Sequence, residues 1–136
     1  MFGSKLKIVA CPLNVTTKVM LNDQFFSEIS KINKVGEFIE LVSRHYLNFY
    51  KKGGLDYVYC HDPLAVLSLI RPQFFTQSKT VSVTVLTLEE SVVGVTVCDL
   101  RSHAPLDPNA NVQVMLDIDA DQTLNFLKQQ ISSFSN

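Results

Sequence analysis

The sequence predicts a mixed fold of strands and helices, α/β or α+β, on three observations. Short runs rich in β-branched residues, such as Leu6 to Ala10 and Asn111 to Ile118, lie between longer stretches with the three-four spacing of helices. Proline, glycine and Asn/Asp mark the joints between these runs. At 136 residues and 46% hydrophobic content, the chain suits one domain able to bury roughly two-thirds of its extended surface.

Each element follows in order. Leu6-Lys7-Ile8-Val9-Ala10 reads as a short buried strand ended by Pro12. Leu13 to Met20 reads as an irregular connection. Asn22 or Asp23 caps a helix through Asn33, with Phe25, Phe26, Ile29 and Ile32 on one apolar face. Val35, Phe38, Ile39, Val42, Tyr46 and Phe49 repeat that spacing in a second helix. It stops at Lys51-Lys52-Gly53-Gly54, where cations meet the negative helix end and glycines break it. Asp56 to Cys60 is extended. Asp62 reads as the cap and Pro63 as the first residue of a helix that ends before Pro72. Thr80 to Leu86 alternates Val with Thr and Ser as a half-buried strand, Leu88 to Ser91 turns, and Val92 to Cys98 returns as a second strand. Leu100 to Ala110, with two prolines, is a loop. Asn111 to Ile118 is a third strand, and Asp119 or Asp121 caps a last helix bearing Leu124, Phe126, Leu127 and Ile131.

Composition excludes several function classes. Twelve basic and 13 acidic residues leave a net charge of −1, and no basic face suits a phosphate backbone, so nucleic acid is not an expected partner. No run approaches membrane-spanning length, and Met1 to Lys5 opens no signal peptide. Cys11, Cys60 and Cys98 are odd in number and far apart, which fits reduced thiols in a cytoplasmic setting and neither a zinc site nor a disulfide framework. The sequon at Asn14-Val15-Thr16 is expected to stay bare.

The feature richest in chemistry is His61-Asp62-Pro63, between Val58-Tyr59-Cys60 and Leu64-Ala65-Val66-Leu67. In isolation, Asp-Pro is a common start to a helix, and a lone histidine is more often a satisfied polar residue than a catalyst. The structural role does not exclude a functional one, because α/β proteins bind ligands where strands end and helices begin. Cys60 beside His61 is not a nucleophile pair, since consecutive residues of an extended segment point apart. His45 falls in the second helical pattern, and His103 in the proline-containing loop. Asp117, Asp119 and Asp121 lack the glycine and distal glutamate of an EF-hand and read as capping and solvated residues. Asp99 reads as a turn residue, and Phe25 and Phe26 as core.

Cys60 to Val66 resembles the late His-Asp-Pro motif of the inosine-uridine nucleoside hydrolases. Leu13-Asn14-Val15-Thr16 is similar to that family's Leu-Asp-Val-Thr segment. Pro72 to Phe75, Gly94 to Asp99, Asn111 to Val114 and Asp117 to Asp121 resemble its later segments, in the same order along nearly the whole chain. The resemblance implies the C-terminal portion of a Rossmann-like α/β fold with an incomplete sheet, spanning residues 1-136 as one domain. It implies hydrolysis of the N-glycosidic bond of a purine or pyrimidine ribonucleoside to base and ribose, and a place in nucleoside salvage. By the same resemblance His61 is the acid for the leaving base, Asp62 is a Ca²⁺ ligand, and His45 is a substrate contact on a helix bordering the pocket.

Departures from the family pattern matter as much. Its Asp-rich segment, which supplies most calcium ligands and the carboxylate that activates water, is absent from these residues, as is its Asn/Glu ribose-binding segment. Asn14 replaces the usual aspartate, and Thr17 a frequent histidine. Calcium takes six to eight oxygens, so one carboxylate cannot hold it. The expectation is therefore a truncated hydrolase, weak in calcium binding and inactive alone, that pairs with a missing N-terminal half or with copies of itself. The alternative is a non-catalytic association module of the same fold, using its exposed strand edges and apolar faces. Both place the His61 ring and the Asp62 carboxylate on one cleft rimmed by strand ends.

Overall fold

The computed structural model describes residues 2–88, 90–103, 105 and 107–134. Its central sheet has the order β1-β7-β4, with β1 at Ile8–Ala10, β4 at Gln77–Val81 and β7 at Val112–Asp117. Strands β1 and β7 run parallel, from Ile8 opposite Val112 to Ala10 opposite Val114. Strand β4 pairs antiparallel to the other edge of β7, with a shift in register between Gln77 and Ser78. Two antiparallel ribbons flank this sheet. β2 (Met20–Asn22) pairs with β3 (Tyr57–Tyr59), and β5 (Thr84–Val85) with β6 (Thr96–Val97).

Among the described residues five α-helices accompany the strands: α1 (Leu13–Thr16), α2 (Asp23–Ile29), α3 (Lys34–Lys52), α4 (His61–Ile70) and α5 (Ala120–Ser132). The expected mixed fold with an incomplete sheet is what forms. One core packs α1 and α4 on the sheet through Val15, Val19, Leu64, Leu67, Met115 and Ile118. A second joins α2, α3, β3 and α5 through Phe25, Phe26, Ile29, Leu47, Val58 and Ile131. The expected core role of the two phenylalanines holds.

The caps of α2 and α5 are among the residues the sequence singled out. The Asn22 side chain accepts from the Phe25 N–H at 3.0 Å, and that of Asp119 accepts from Gln122 at 2.9 Å. Asn33 serves two helices at once. Its oxygen caps α3 on the Gly36 N–H at 2.9 Å, while its amide donates to the last-turn carbonyl of Ile131 at 2.7 Å and to Phe134 at 3.0 Å. Gly36 sits where α2 meets α3: a Cβ there would lie 1.9 Å from the Ile29 carbonyl oxygen.

Five local expectations are corrected. The helix expected through Asn33 ends at Ile29, because residues 30–32 turn and Asn33 serves as the cap of α3. Residues 13–16 form a helical turn closed by the Val15 and Thr16 N–H groups on the Pro12 carbonyl, because that turn buries both Val15 and Thr16. Helix α4 starts at His61, with Cys60 rather than Asp62 as its cap residue and no side-chain cap bond. Pro63 is still accommodated, since its missing N–H falls among the first-turn donors that need no partner in the helix. The expected strand from Thr80 to Leu86 breaks after Val81, because Val81 faces Val112, where β7 begins, and Thr84–Val85 beyond it pair with β6 instead. The expected strand from Val92 to Cys98 shrinks to Thr96–Val97. A 3₁₀ turn spans Glu90–Val92, and Gly94 takes φ +88°. Part of the expected turn at 88–91 (Glu89) and of the loop at 100–110 (Ala104, Leu106) lies outside the described residues.

Candidate functional site

Two joints converge to build the site. Strand β1 ends at Ala10 and passes through Cys11-Pro12 into α1. Strand β3 ends at Tyr59 and passes through Cys60 into α4. The Cys60 N–H donates to the Val19 carbonyl at 3.0 Å, which locks the second joint beside the first. The contact between them is Thr16 Oγ1 to His61 Nδ1, 2.8 Å long across 45 residues of sequence. Thr16 is 3% exposed and the His61 ring is half-buried. On its other side the His61 ring lies 5.5 Å from the Tyr59 ring, tilted by 48°.

Tyrosines extend this surface. Tyr59 meets Tyr57 at 5.3 Å and Tyr50 of α3 at 6.2 Å, both edge to face. The Tyr46 hydroxyl donates to that of Tyr50 at 3.1 Å. That bond, then partial burial, then the charges of Tyr50 and Asp62, raise the Tyr46 phenol above its ordinary value. The Asp62 carboxylate is thus felt on the α3 side of the site, although its side chain is exposed. The sequence reading missed Thr16 and Tyr59. Tyr57 and Tyr59 two apart on one strand face, and Tyr46 and Tyr50 one helical turn apart, were the available signals.

The remaining residues fall into place around it. Cys60 is 2% exposed, and burial, then the nearby Asp62 charge, push its thiol up to about 11. It is a core residue and not a nucleophile. The Cys11 thiol donates to the Leu64 carbonyl and is also raised by burial. His45 is exposed on α3, and His103 is exposed in the long loop. Asp117 accepts from Lys18 at 2.5 Å, and Asp119 caps α5, as a capping role requires. Asp99 is held down to about 2 by the adjacent Arg101 guanidinium.

None of five hollows in the surface is lined by His61 or Asp62. One of about 370 Å³ abuts the β1–α1 joint and is lined by Ala10, Pro12, Asn14 and Cys98 among others. Among the described residues, no three His, Cys, Asp or Glu side chains converge as metal ligands. Asp62 alone does not fit the oxygen-rich shell that calcium takes. No helix among the described residues is long and apolar enough to cross a membrane.

The fold, a partial α/β sheet with helices packed on it, is shared with nucleoside hydrolases of known structure. The Purine-Preferring Ribonucleoside Hydrolase from Gardnerella vaginalis superposes with a TM-score of 0.82 at 25% identity, over 96% of this chain and 41% of that one. A plant nucleoside hydrolase has the same fold, with a TM-score of 0.84 at 20% identity over 98% of this chain and 43% of its own. Residues 1–125 match the inosine-uridine preferring nucleoside hydrolases, and the chain belongs to that family. The Non-specific ribonucleoside hydrolase RihC of Salmonella enteritidis is 34% identical over 118 residues, which are 87% of this chain and 37% of that protein. The chain therefore spans about two-fifths of the length of the relatives it matches.

Proposed function

We propose that this chain is the C-terminal portion of a ribonucleoside hydrolase and carries the acid that releases the base. The observation behind this reading is His61 itself, fixed at the β3–α4 joint by Thr16 and flanked by an aromatic surface. In such a hydrolysis, water attacks the anomeric carbon, the C–N bond breaks, and its electron pair goes to the base. An imidazole proton passed to a base nitrogen at that moment avoids expelling an anion, and a positioned general acid of this kind contributes typically about 10²–10⁴-fold. The chemistry assigned to this chain runs through His61.

Asp62 is proposed as one oxygen donor to calcium in a whole fold, a role that needs further ligands from residues outside this sequence. His45 is proposed as a substrate contact, on the strength of its place on α3 beside Tyr46. The free thiols of Cys11, Cys60 and Cys98 support a cytoplasmic setting. The direct test is base release from uridine and inosine with and without calcium. The chain alone is expected to release none above buffer. Adding a RihC segment that this chain does not match is expected to start the reaction, and calcium-dependent turnover by the chain alone contradicts the reading.

A second reading is favoured by one specific observation. Phe38, Leu41, Val42 and Phe49 form a stripe on α3, and Phe38 and Phe49 stay 62% and 67% exposed. An apolar face of this kind suits association. A non-catalytic module would elute as a stable dimer or larger and gain no activity from the added segment.

A further inference from the structure

We propose that Thr16 is a positioning residue for His61, holding the ring with its proton on Nε2 and that nitrogen turned away from α1. The inference rests on the reading of His61 as the acid for the departing base, and gives that acid its orientation.

A threonine hydroxyl has one proton to donate and lone pairs to accept with. The Thr16 hydroxyl has one hydrogen-bond partner among the described residues, His61 Nδ1 at 2.8 Å. With the residue 3% exposed, bulk water is a poor alternative acceptor, and a buried donor left unmade is costly. The hydroxyl proton therefore goes to Nδ1, and a neutral imidazole accepting at Nδ1 carries its own proton on Nε2. The two nitrogens lie on opposite flanks of the ring, so pinning Nδ1 against α1 turns Nε2 outward. Tyr59 restricts rotation from the ring face at 5.5 Å. A helix of only four residues suffices for this task, because both neighbours of Thr16 are fixed: Val15 is fully buried, and the Thr17 hydroxyl bonds the Leu13 carbonyl at 2.6 Å.

The test reads the ring directly. In a chain carrying H45Q and H103Q, which change two exposed side chains, His61 is the one remaining imidazole. Long-range ¹H–¹⁵N spectra at a single alkaline pH then report which nitrogen bears the proton. The Nε2–H form is expected to dominate in this background and in T16S, which keeps the hydroxyl. In T16V the ratio of Nε2–H to Nδ1–H is expected to fall by up to about tenfold, the value of one net hydrogen bond. A dominant Nδ1–H form in the Thr16 chain, or an unchanged ratio in folded T16V, overturns the proposal. Should T16V fail to fold in a thermal melt, the tautomer of the Thr16 chain still decides. No substrate enters this measurement, so it can fail while base release through His61 stands, and it can succeed in a chain that hydrolyses nothing.

Discussion

At the residue scale, the site separates a residue that resembles a reactive group, Cys60, from the one proposed to react, His61. Cys60 stands next to His61 in sequence, yet its backbone N–H is tied to Val19 and its thiol is packed in the core. The unfolded thiol titrates near 9 and the folded one near 11, so between these values the unfolded chain binds fewer protons. Stability supplied by the neutral thiol is complete below pH 9 and is lost as pH rises toward 11. Denaturant melts are expected to show this decline in the native chain and a smaller one in C60A, and equal declines contradict it. Iodoacetamide at pH 8 should spare Cys60 until the chain is unfolded. What sequence reading could not reach was Thr16. Its partner lies 45 residues away, and the β2–β3 ribbon and the Cys60–Val19 bond bring the two together.

At the element scale, legibility tracked how local the deciding interaction is. The starts of α2 and α5 were readable because each cap bonds within three residues of itself, whereas Asn33, the cap of α3, was read as the end of the preceding helix. The start of α4 was misread because a proline is tolerated anywhere in a first turn, so Asp62-Pro63 did not fix the register. The strand at 80–86 was misread because alternation says which face is buried, not whether a neighbour is present. Its neighbour stops at Val112. Close helix packing was also invisible in the sequence. An alanine within a helix ordinarily gains about 1 kcal/mol over glycine. At Gly36 the sign reverses, because the added carbon meets the Ile29 carbonyl and must push α2 from α3. G36A is expected to destabilise by about 1–3 kcal/mol in urea melts, and a stabilised variant contradicts this packing. Asn33 divides its work the same way. N33D keeps the α3 cap but loses both donors to the α5 end, so it should fall between the native chain and N33A. Equal loss in the two variants would place all the stabilisation in one cap.

At the scale of the whole molecule, family and fold class were legible, because motifs in a fixed order run from the first strand to the last helix. The assembled pocket was not, and the structure gives the reason. A chain matching about two-fifths of its relatives brings the His61 joint and its aromatic surface, with one carboxylate where calcium takes six to eight oxygens. The central claim is that His61 acts on the leaving group. It is tested most directly by grafting this chain in place of the matching part of RihC and comparing two ribosides. Uracil leaves uridine as a poor anion and needs a proton, whereas nitrophenolate leaves readily without one. With H61A, base release from uridine is expected to fall by about 10²–10⁴-fold while nitrophenyl riboside cleavage changes little. Equal losses on both substrates, or loss on neither, would contradict the account.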